Sequence, residues 1–276
     1  MTSALDQERN TALLSWYSDA QRDLPWRDAS DPYLVLVSEV MLQQTQAVRV
    51  VPYYERFVET FPTVESLAAA PLGDVLAVWT GLGYNGRARR LRDAARVIAA
   101  EGWPDTAEEL HKLPGIGQYT AAAIASFAFG DHVVTIDTNV RRVVSRWNGE
   151  PLDGAALQAA TEASLGEPAA DWNQAVMDLG ASVCLARGPR CTECPVADWC
   201  AGPESYVPTA PQARFEGSNR QLRGAIVRAV VAAPRTMDDL VRHTGFPPDE
   251  VDLAIEDLVT EGLLAGDEKN GFRVAE

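Results

Sequence analysis

Every cysteine of the chain lies in the seventeen-residue stretch CLARGPRCTECPVADWC, at Cys184, Cys191, Cys194 and Cys200. In a reducing compartment such clustering points to metal ligation rather than to disulfides. The pattern is C-x6-C-x2-C-x5-C, and two metals compete for it. Zinc sites usually draw their ligands as two close couples. Only Cys191 and Cys194 form such a couple here, which leans toward a four-thiolate iron–sulfur cluster.

Three further features could carry chemistry. Glu39 lies in LVLVSEVML, with Val35, Leu36 and Leu42 as helical neighbours. A carboxyl in an apolar stripe either lines a cleft, where desolvation favours the protonated acid, or sits on the stripe's edge facing water. The turn LPGIG in LHKLPGIGQYTAAAIASF joins two helical patterns through Gly115 and Gly117. It reads as a tight hairpin with bare backbone N–H groups for a phosphate, or as an ordinary helix–helix turn. Asp137, ahead of TNVRRVVSRW, is most simply a helix N-cap.

The surrounding chain has 276 residues, 46% of them hydrophobic, enough for more than one domain. Its opening, MTSALDQERN, has neither a basic segment nor an apolar run, and no later stretch is long and apolar enough to span a bilayer. A signal peptide and a membrane role are therefore not expected, and a cytoplasmic location is. The net charge of −15 argues against a generally cationic nucleic-acid-binding surface. Local basic stretches exist nonetheless, at Arg87, Arg89, Arg90, Arg92 and Arg96 and at Arg141, Arg142 and Arg146, whereas Thr236 to Glu276 is strongly acidic. Nearly all the positive charge is guanidinium, since the chain's lysines are Lys112 and Lys269.

Helical periodicity dominates. Residues 4–20 read as an amphipathic helix, and SEVMLQQTQAVRVVPYYERFVETF as helical with a break at Pro52. YLVLV runs into that pattern and reads as helix. TVESLAAA and PLGDVLAVW are short helices opened by a capping residue or a proline. RARRLRDAARVIAAEG ends at Gly102, and the nearly all-apolar TAAAIASFAFG ends at Gly130. After Cys200 a proline-rich stretch reads as a linker. Three helical patterns then precede a short segment able to form a two-stranded wing, an order that resembles a winged helix.

Taken together, LPWRDASDPYLVLVSEVMLQQTQ, WTGLGYNGRARRL, LPGIGQYTAAAIASFAFG, IDTNVRRV, WNQAVMDLGASVC and the cysteine loop resemble the adenine-DNA glycosylase (MutY) family. That family belongs to the helix-hairpin-helix superfamily that includes endonuclease III. The resemblance implies an all-α fold. An iron–sulfur cluster domain would comprise residues 1–28 and 138–200, and a six-helix barrel domain residues 29–137. A linker at 201–219 would lead to a winged-helix-like module at 220–276. It further implies a monomeric enzyme of base excision repair that hydrolyses the N-glycosidic bond of adenine opposite 8-oxoguanine or guanine in double-stranded DNA.

Carried onto this chain, the resemblance makes Glu39 the general acid and Asp137 the carboxylate that stabilises the oxocarbenium-like sugar. Tyr119 stands where bifunctional relatives carry a Schiff-base lysine, so base removal without efficient strand cleavage is expected. Trp26, Arg27, Leu42 and Gln174 match the adenine pocket. Gln44 and Tyr84 match wedge residues that fill the gap left by a flipped nucleotide, and with Thr45 and Leu82 they would read the opposite base. Arg22, Gln43, Gly115 and Gly117 complete the expected DNA contacts. The four cysteines would hold a [4Fe-4S] cluster that orders a loop carrying Arg187 and Arg190 along DNA phosphates.

Two departures bear on specificity. The family usually continues into a larger β-rich domain that reads 8-oxoguanine, absent from the last 76 residues here. Ala47 replaces a larger aliphatic and resembles a thymine-mismatch branch, which keeps thymine or uracil removal open. A redox-responsive DNA-binding regulator, with the cluster as sensor, is the alternative of another class. The third C-terminal helical pattern, PPDEVDLAIEDLVTEG, bears six carboxylates and no Lys or Arg. Set in a DNA groove it would face phosphates uncompensated, so the module is expected to pack on the catalytic core or a protein partner and not to read DNA.

Overall fold

Helices account for nearly all the regular structure of the computed structural model, which describes residues 4–27, 29–206, 208 and 214–276. In chain order the helices are α1 (Ala4–Ala20), α2 (Pro32–Leu42), α3 (Ala47–Thr60), α4 (Val64–Ala69), α5 (Leu72–Trp79), α6 (Gly86–Glu101) and α7 (Ala107–Leu110). They continue as α8 (Gln118–Phe129), α9 (Thr138–Asn148), α10 (Gly154–Ser164), α11 (Ala169–Ser182), α12 (Asn219–Ala232), α13 (Met237–Thr244) and α14 (Pro248–Thr260). An antiparallel pair follows, β1 (Leu264–Asp267) and β2 (Gly271–Val274), in register Leu264 with Val274. The expected all-α class is thus found, and YLVLV is helical as read.

Local chemistry explains where elements begin and end. Thr63 and Ser66 form a reciprocal capping box on α4, and Thr236 and Asp239 do the same on α13. Gly130 closes α8 in the left-handed region that favours glycine. One boundary corrects the sequence reading: the break expected at Pro52 lies at residues 43–46 instead, and Pro52 is inside α3. In the second turn, proline forfeits a single i→i−4 hydrogen bond, and the buried Val50, Tyr54 and Phe57 outweigh that loss.

The chain divides into two compact units. The first comprises Met1–Val35, Asp105–His111 and Ile116–Pro211. Its core joins α1, α9 and α11 through Leu13, Val143, Trp172, Val176 and Leu179, with Trp147 edge-on to Trp172 at 6.3 Å. Arg9 lies 4.2 Å over the Trp147 ring, a partly buried cation–π contact.

The second unit comprises Leu36–Pro104, Lys112–Gly115 and Gln212–Glu276. In it α4 packs on α6 and α3 on α5, burying Phe57, Leu67, Trp79 and Leu91. The C-terminal helices share this unit. α12 packs on α13, α14 and β2, with Leu222, Ile226, Val230, Leu240, Ile255 and Phe272 buried, and it also packs on α5. Arg89 of α6 donates to the carbonyl of Glu261 at 2.5 Å. Packing of the tail on the preceding helices, one of the two outcomes expected, is therefore what occurs. The expected linker at 201–219 lies partly outside the described residues, at 207 and 209–213, as does Asp28 at the first expected domain boundary.

Candidate active site, reader loops and cysteine hollow

Glu39 sits in α2, whose helical residues continue from the first unit into the second at Leu36. Its side chain is buried, at 5% exposure, in a run of buried Leu36, Val37, Ser38, Val40 and Met41. The water-facing alternative is excluded. A carboxyl held in such surroundings can carry a proton to a bound ligand.

Asp137, in the first unit, is the N-cap of α9, as its residue type suggests. One carboxyl oxygen accepts from the N–H of Asn139 at 2.8 Å and of Val140 at 2.7 Å, the other from Asn139 Nδ2 at 2.7 Å. Burial pushes this carboxyl above its ordinary value, against these hydrogen bonds and Arg142, which pull it down. The cap fixes the group's direction without making its charge comfortable.

Tyr119 lies in the first turn of α8, lining a hollow of about 690 Å³ with Gln118, His132 and Ile136. The N-cap of α8 is Gly117, which has no side chain with which to cap the helix. Gly115 has φ +73°, and a Cβ there would stand 2.5 Å from Arg90 Cβ. Only glycine fits this turn, whereas Gly117 has ordinary φ and open space around it.

Arg22, Arg27 and Gln174 meet in the first unit around a residue not singled out from the sequence, Asp178. Fully buried, Asp178 accepts from Arg22 Nε at 2.7 Å, Arg22 N at 3.0 Å and Arg27 Nη2 at 2.6 Å. Arg27 also donates to the side-chain oxygen of Gln174, as does the Tyr17 hydroxyl at 3.2 Å. With its oxygen doubly engaged, Gln174 presents its NH₂ group to a ligand. Trp26 is buried nearby in sequence, at 8% exposure. The available signal for Asp178 was its place four residues after Gln174, on the same helical face.

Gln44, Thr45, Leu82 and Tyr84 line one cleft in the second unit, while Leu42 ends α2 and Gln43 opens the turn that leads into it. Gln44 has φ +55° and Tyr84 φ +50°. Left-handed backbone costs a non-glycine residue about 1–2 kcal/mol, so something must hold both loops. That something is Arg87, almost fully buried. Its Nη1 donates to the carbonyls of Val40, Met41 and Gln43 at 2.9, 2.9 and 2.6 Å. Its Nη2 reaches Thr45 Oγ1 at 3.3 Å and the Gly83 carbonyl at 3.1 Å. Burial pushes Arg87 down to about 10, still charged at neutral pH. The basic stretch read at 87–96 is thus partly internal, since Arg92 is buried too.

Cys184, Cys191, Cys194 and Cys200 line a hollow of about 110 Å³ in the first unit. Arg146 donates to Cys184 Sγ at 3.1 Å and the Leu185 carbonyl at 2.9 Å, and Arg142 to the Cys184 carbonyl at 2.7 Å. Both arginines are buried and support the loop rather than a basic surface, whereas Arg187 and Arg190 are exposed. Burial pushes the Cys194 thiol up to about 11 and raises Cys200 as well, the other cysteines adding to both. Among the described residues no group of three or more His, Cys, Asp or Glu stands ready to hold a single metal ion. All four thiols line this one hollow, so they could hold a single thiolate-bound group together.

Residues 37–167 match the HhH-GPD superfamily of base excision DNA repair proteins. An adenine DNA glycosylase of Mycobacterium tuberculosis is 41% identical over 92% of this chain and 90% of its own length. The Homo sapiens adenine DNA glycosylase is 43% identical over 68% of this chain, which corresponds to 38% of the human protein. Among solved structures, a thermostable thymine-DNA glycosylase superposes with a TM-score of 0.68 at 30% identity, over 72% of this chain and 97% of its own. The chain belongs to the adenine DNA glycosylase family, and it is a base-excision repair enzyme of the helix-hairpin-helix superfamily.

Proposed function

We propose that this enzyme removes adenine mispaired with 8-oxoguanine or guanine by hydrolysing its N-glycosidic bond, without an amine nucleophile. The observation that carries the chemistry is the carboxyl of Glu39, buried in the apolar helix α2. In this reading Glu39 gives its proton to a ring nitrogen of the flipped base, turning the base into a neutral leaving group. The sugar then carries positive charge. Asp137, whose burial makes its negative charge costly, gains most when an oxocarbenium-like centre forms beside it. Water adds to that centre, and Glu39 takes up the proton it releases. The NH₂ of Gln174, whose oxygen is fixed by Arg27 and Tyr17, suits an acceptor nitrogen on the base edge.

The four cysteines suit a [4Fe-4S] cluster, which contributes structure to the loop bearing Arg187 and Arg190 rather than bond-breaking chemistry. Ala47, at the start of α3, and the likeness to a thymine-DNA glycosylase favour a second reading, thymine or uracil removal opposite guanine. One assay separates them. The protein is incubated with duplexes carrying A opposite 8-oxoguanine, A opposite G, T opposite G and U opposite G, and abasic sites are cleaved with alkali. Product from the adenine duplexes alone is expected. Product from T or U alone supports the second reading, and no product from any duplex overturns both. Glu39→Gln keeps the side chain's shape but lacks the proton, so excision should fall by ~10²–10⁴-fold while duplex binding persists. Residual activity within tenfold of the parent would reject Glu39 as the acid.

A further inference from the structure

The cleft that holds Gln44 and Tyr84 has a second wall. Its volume is about 800 Å³, and α12 with the end of α14 closes the side facing the 44–46 and 80–86 loops. Five arginines line it, Arg49, Arg90, Arg220, Arg223 and Arg228, against two carboxylates, Asp257 and Glu261. Arg223 holds both carboxylates, at 3.4 and 2.6 Å. Five positive charges less two negative leave +3 on the lining, within a chain whose net charge is −15. Small-molecule pockets are mostly apolar, whereas this one presents guanidinium forks, glycine backbone and aromatic edges. Such forks match the oxygens of a phosphodiester.

The arginines of α12 are also wired to the loop opposite. Arg220 donates to the Tyr84 hydroxyl at 3.2 Å, and its guanidinium lies 5.9 and 6.0 Å from the ring centres of Tyr84 and Phe215. Arg220, Gly224 and Arg228 follow at four-residue steps and so share one face of the helix. We propose that this cleft takes the sugar–phosphate backbone of duplex DNA, with Arg220 and Arg228 as phosphate ligands supplied by the C-terminal module. The acidic α14 stays out of the groove, and the module contacts DNA through its first helix instead. The proposal rests on the glycosylase reading for the presence of DNA beside Gln44 and Tyr84.

Its test is the salt dependence of duplex binding by the full-length protein. Each phosphate contact contributes about 0.9 to the slope of log K against log salt. Arg228→Ala changes an exposed side chain and should lower that slope by about one. Arg220→Ala with Arg228→Ala should lower it by about two, and should raise Kd about tenfold or more near 0.1 M salt. The effect should be the same on a fully paired and on a mismatched duplex, as expected for backbone contacts. Thermal unfolding checks the double variant, and if it misfolds the single variant decides. Slopes and affinities equal to the parent's, or a parent that does not bind duplex DNA, would overturn the proposal. Binding is read without excision, so a protein that excises no base sinks the glycosylase reading and still leaves the slopes to judge the cleft.

Discussion

The buried carboxylate of Asp178 accepts the Arg27 guanidinium at 2.6 Å, and the same guanidinium fixes the side-chain oxygen of Gln174. One acid thus sets the direction of two residues matched to the base pocket. Asp178→Asn keeps one acceptor oxygen but leaves Arg27, 10% exposed, without its counter-charge. Breaking one side of a buried pair costs about 3–5 kcal/mol, and the lower end applies because Arg22 is partly solvated. Urea titration at neutral pH should show a loss of about 3 kcal/mol, with slower excision by the folded fraction. A loss below about 1 kcal/mol would show that the arginines do not depend on this acid.

Asp137→Asn separates the cap from the charge. Asparagine caps helices about as well as aspartate, so its side-chain oxygen can keep the bonds from the backbone N–H of Asn139 and Val140, while the one from Asn139 Nδ2 is lost. Burial raises the folded-state value of Asp137, so the folded chain keeps a proton that the unfolded chain has already released. The stability this gives is complete below the unfolded value and is lost as pH rises through the folded one. The variant should therefore gain on the parent in melting temperature as pH rises above the ordinary aspartate value of about 4, while excision falls sharply. A stability difference that is constant with pH, or that shrinks as pH rises, would contradict the raised value.

The cysteine set and the helix order were legible because each rests on neighbours in sequence. Four thiols in seventeen residues need no tertiary knowledge, and capping boxes announce α4 and α13. Glu39 was legible as a misfit, an acid in an apolar stripe, but which way it faced was not. Arg87 shows what stays hidden. In sequence it is one of five arginines in a basic stretch, yet its guanidinium gathers carbonyls from positions 40, 41, 43 and 83. Likewise the left-handed backbones of Gln44 and Tyr84 follow from how two loops are pinned, and neither residue type signals it. Asp178 was missed for a similar reason: its partners, Arg22 and Arg27, lie more than 150 residues away.

The cysteine hollow makes a compositional prediction. Purified protein should be brown, with broad visible absorbance and about four irons per chain. Cys194→Ser should lose iron and soften the loop from Cys184 to Cys200, read as faster proteolysis between Arg187 and Arg190. Stoichiometric zinc in a colourless, fully active preparation would overturn the cluster assignment.

Tyr119→Lys tests the proposal that this enzyme works by hydrolysis, without an amine nucleophile. Position 119 lies in the first turn of α8, whose N-cap is Gly117. The positive end of the helix there disfavours an ammonium and so raises the share of neutral, nucleophilic amine. The side chain lines an open hollow, so a lysine can extend without displacing core residues. The amine would attack the sugar carbon as the base departs, and opening of the sugar ring, with a proton passing from the amine to the ring oxygen, would leave an imine that borohydride reduces to a stable covalent link. Loss of a proton from the adjacent sugar carbon would then eliminate the phosphate and nick the strand. The variant should give a trapped protein–DNA band and alkali-independent nicking on duplexes that the parent only renders abasic. Equal trapping of the parent would mean that some other amine, Lys112, Lys269 or the N-terminus, already does this chemistry, and the hydrolytic assignment would fall.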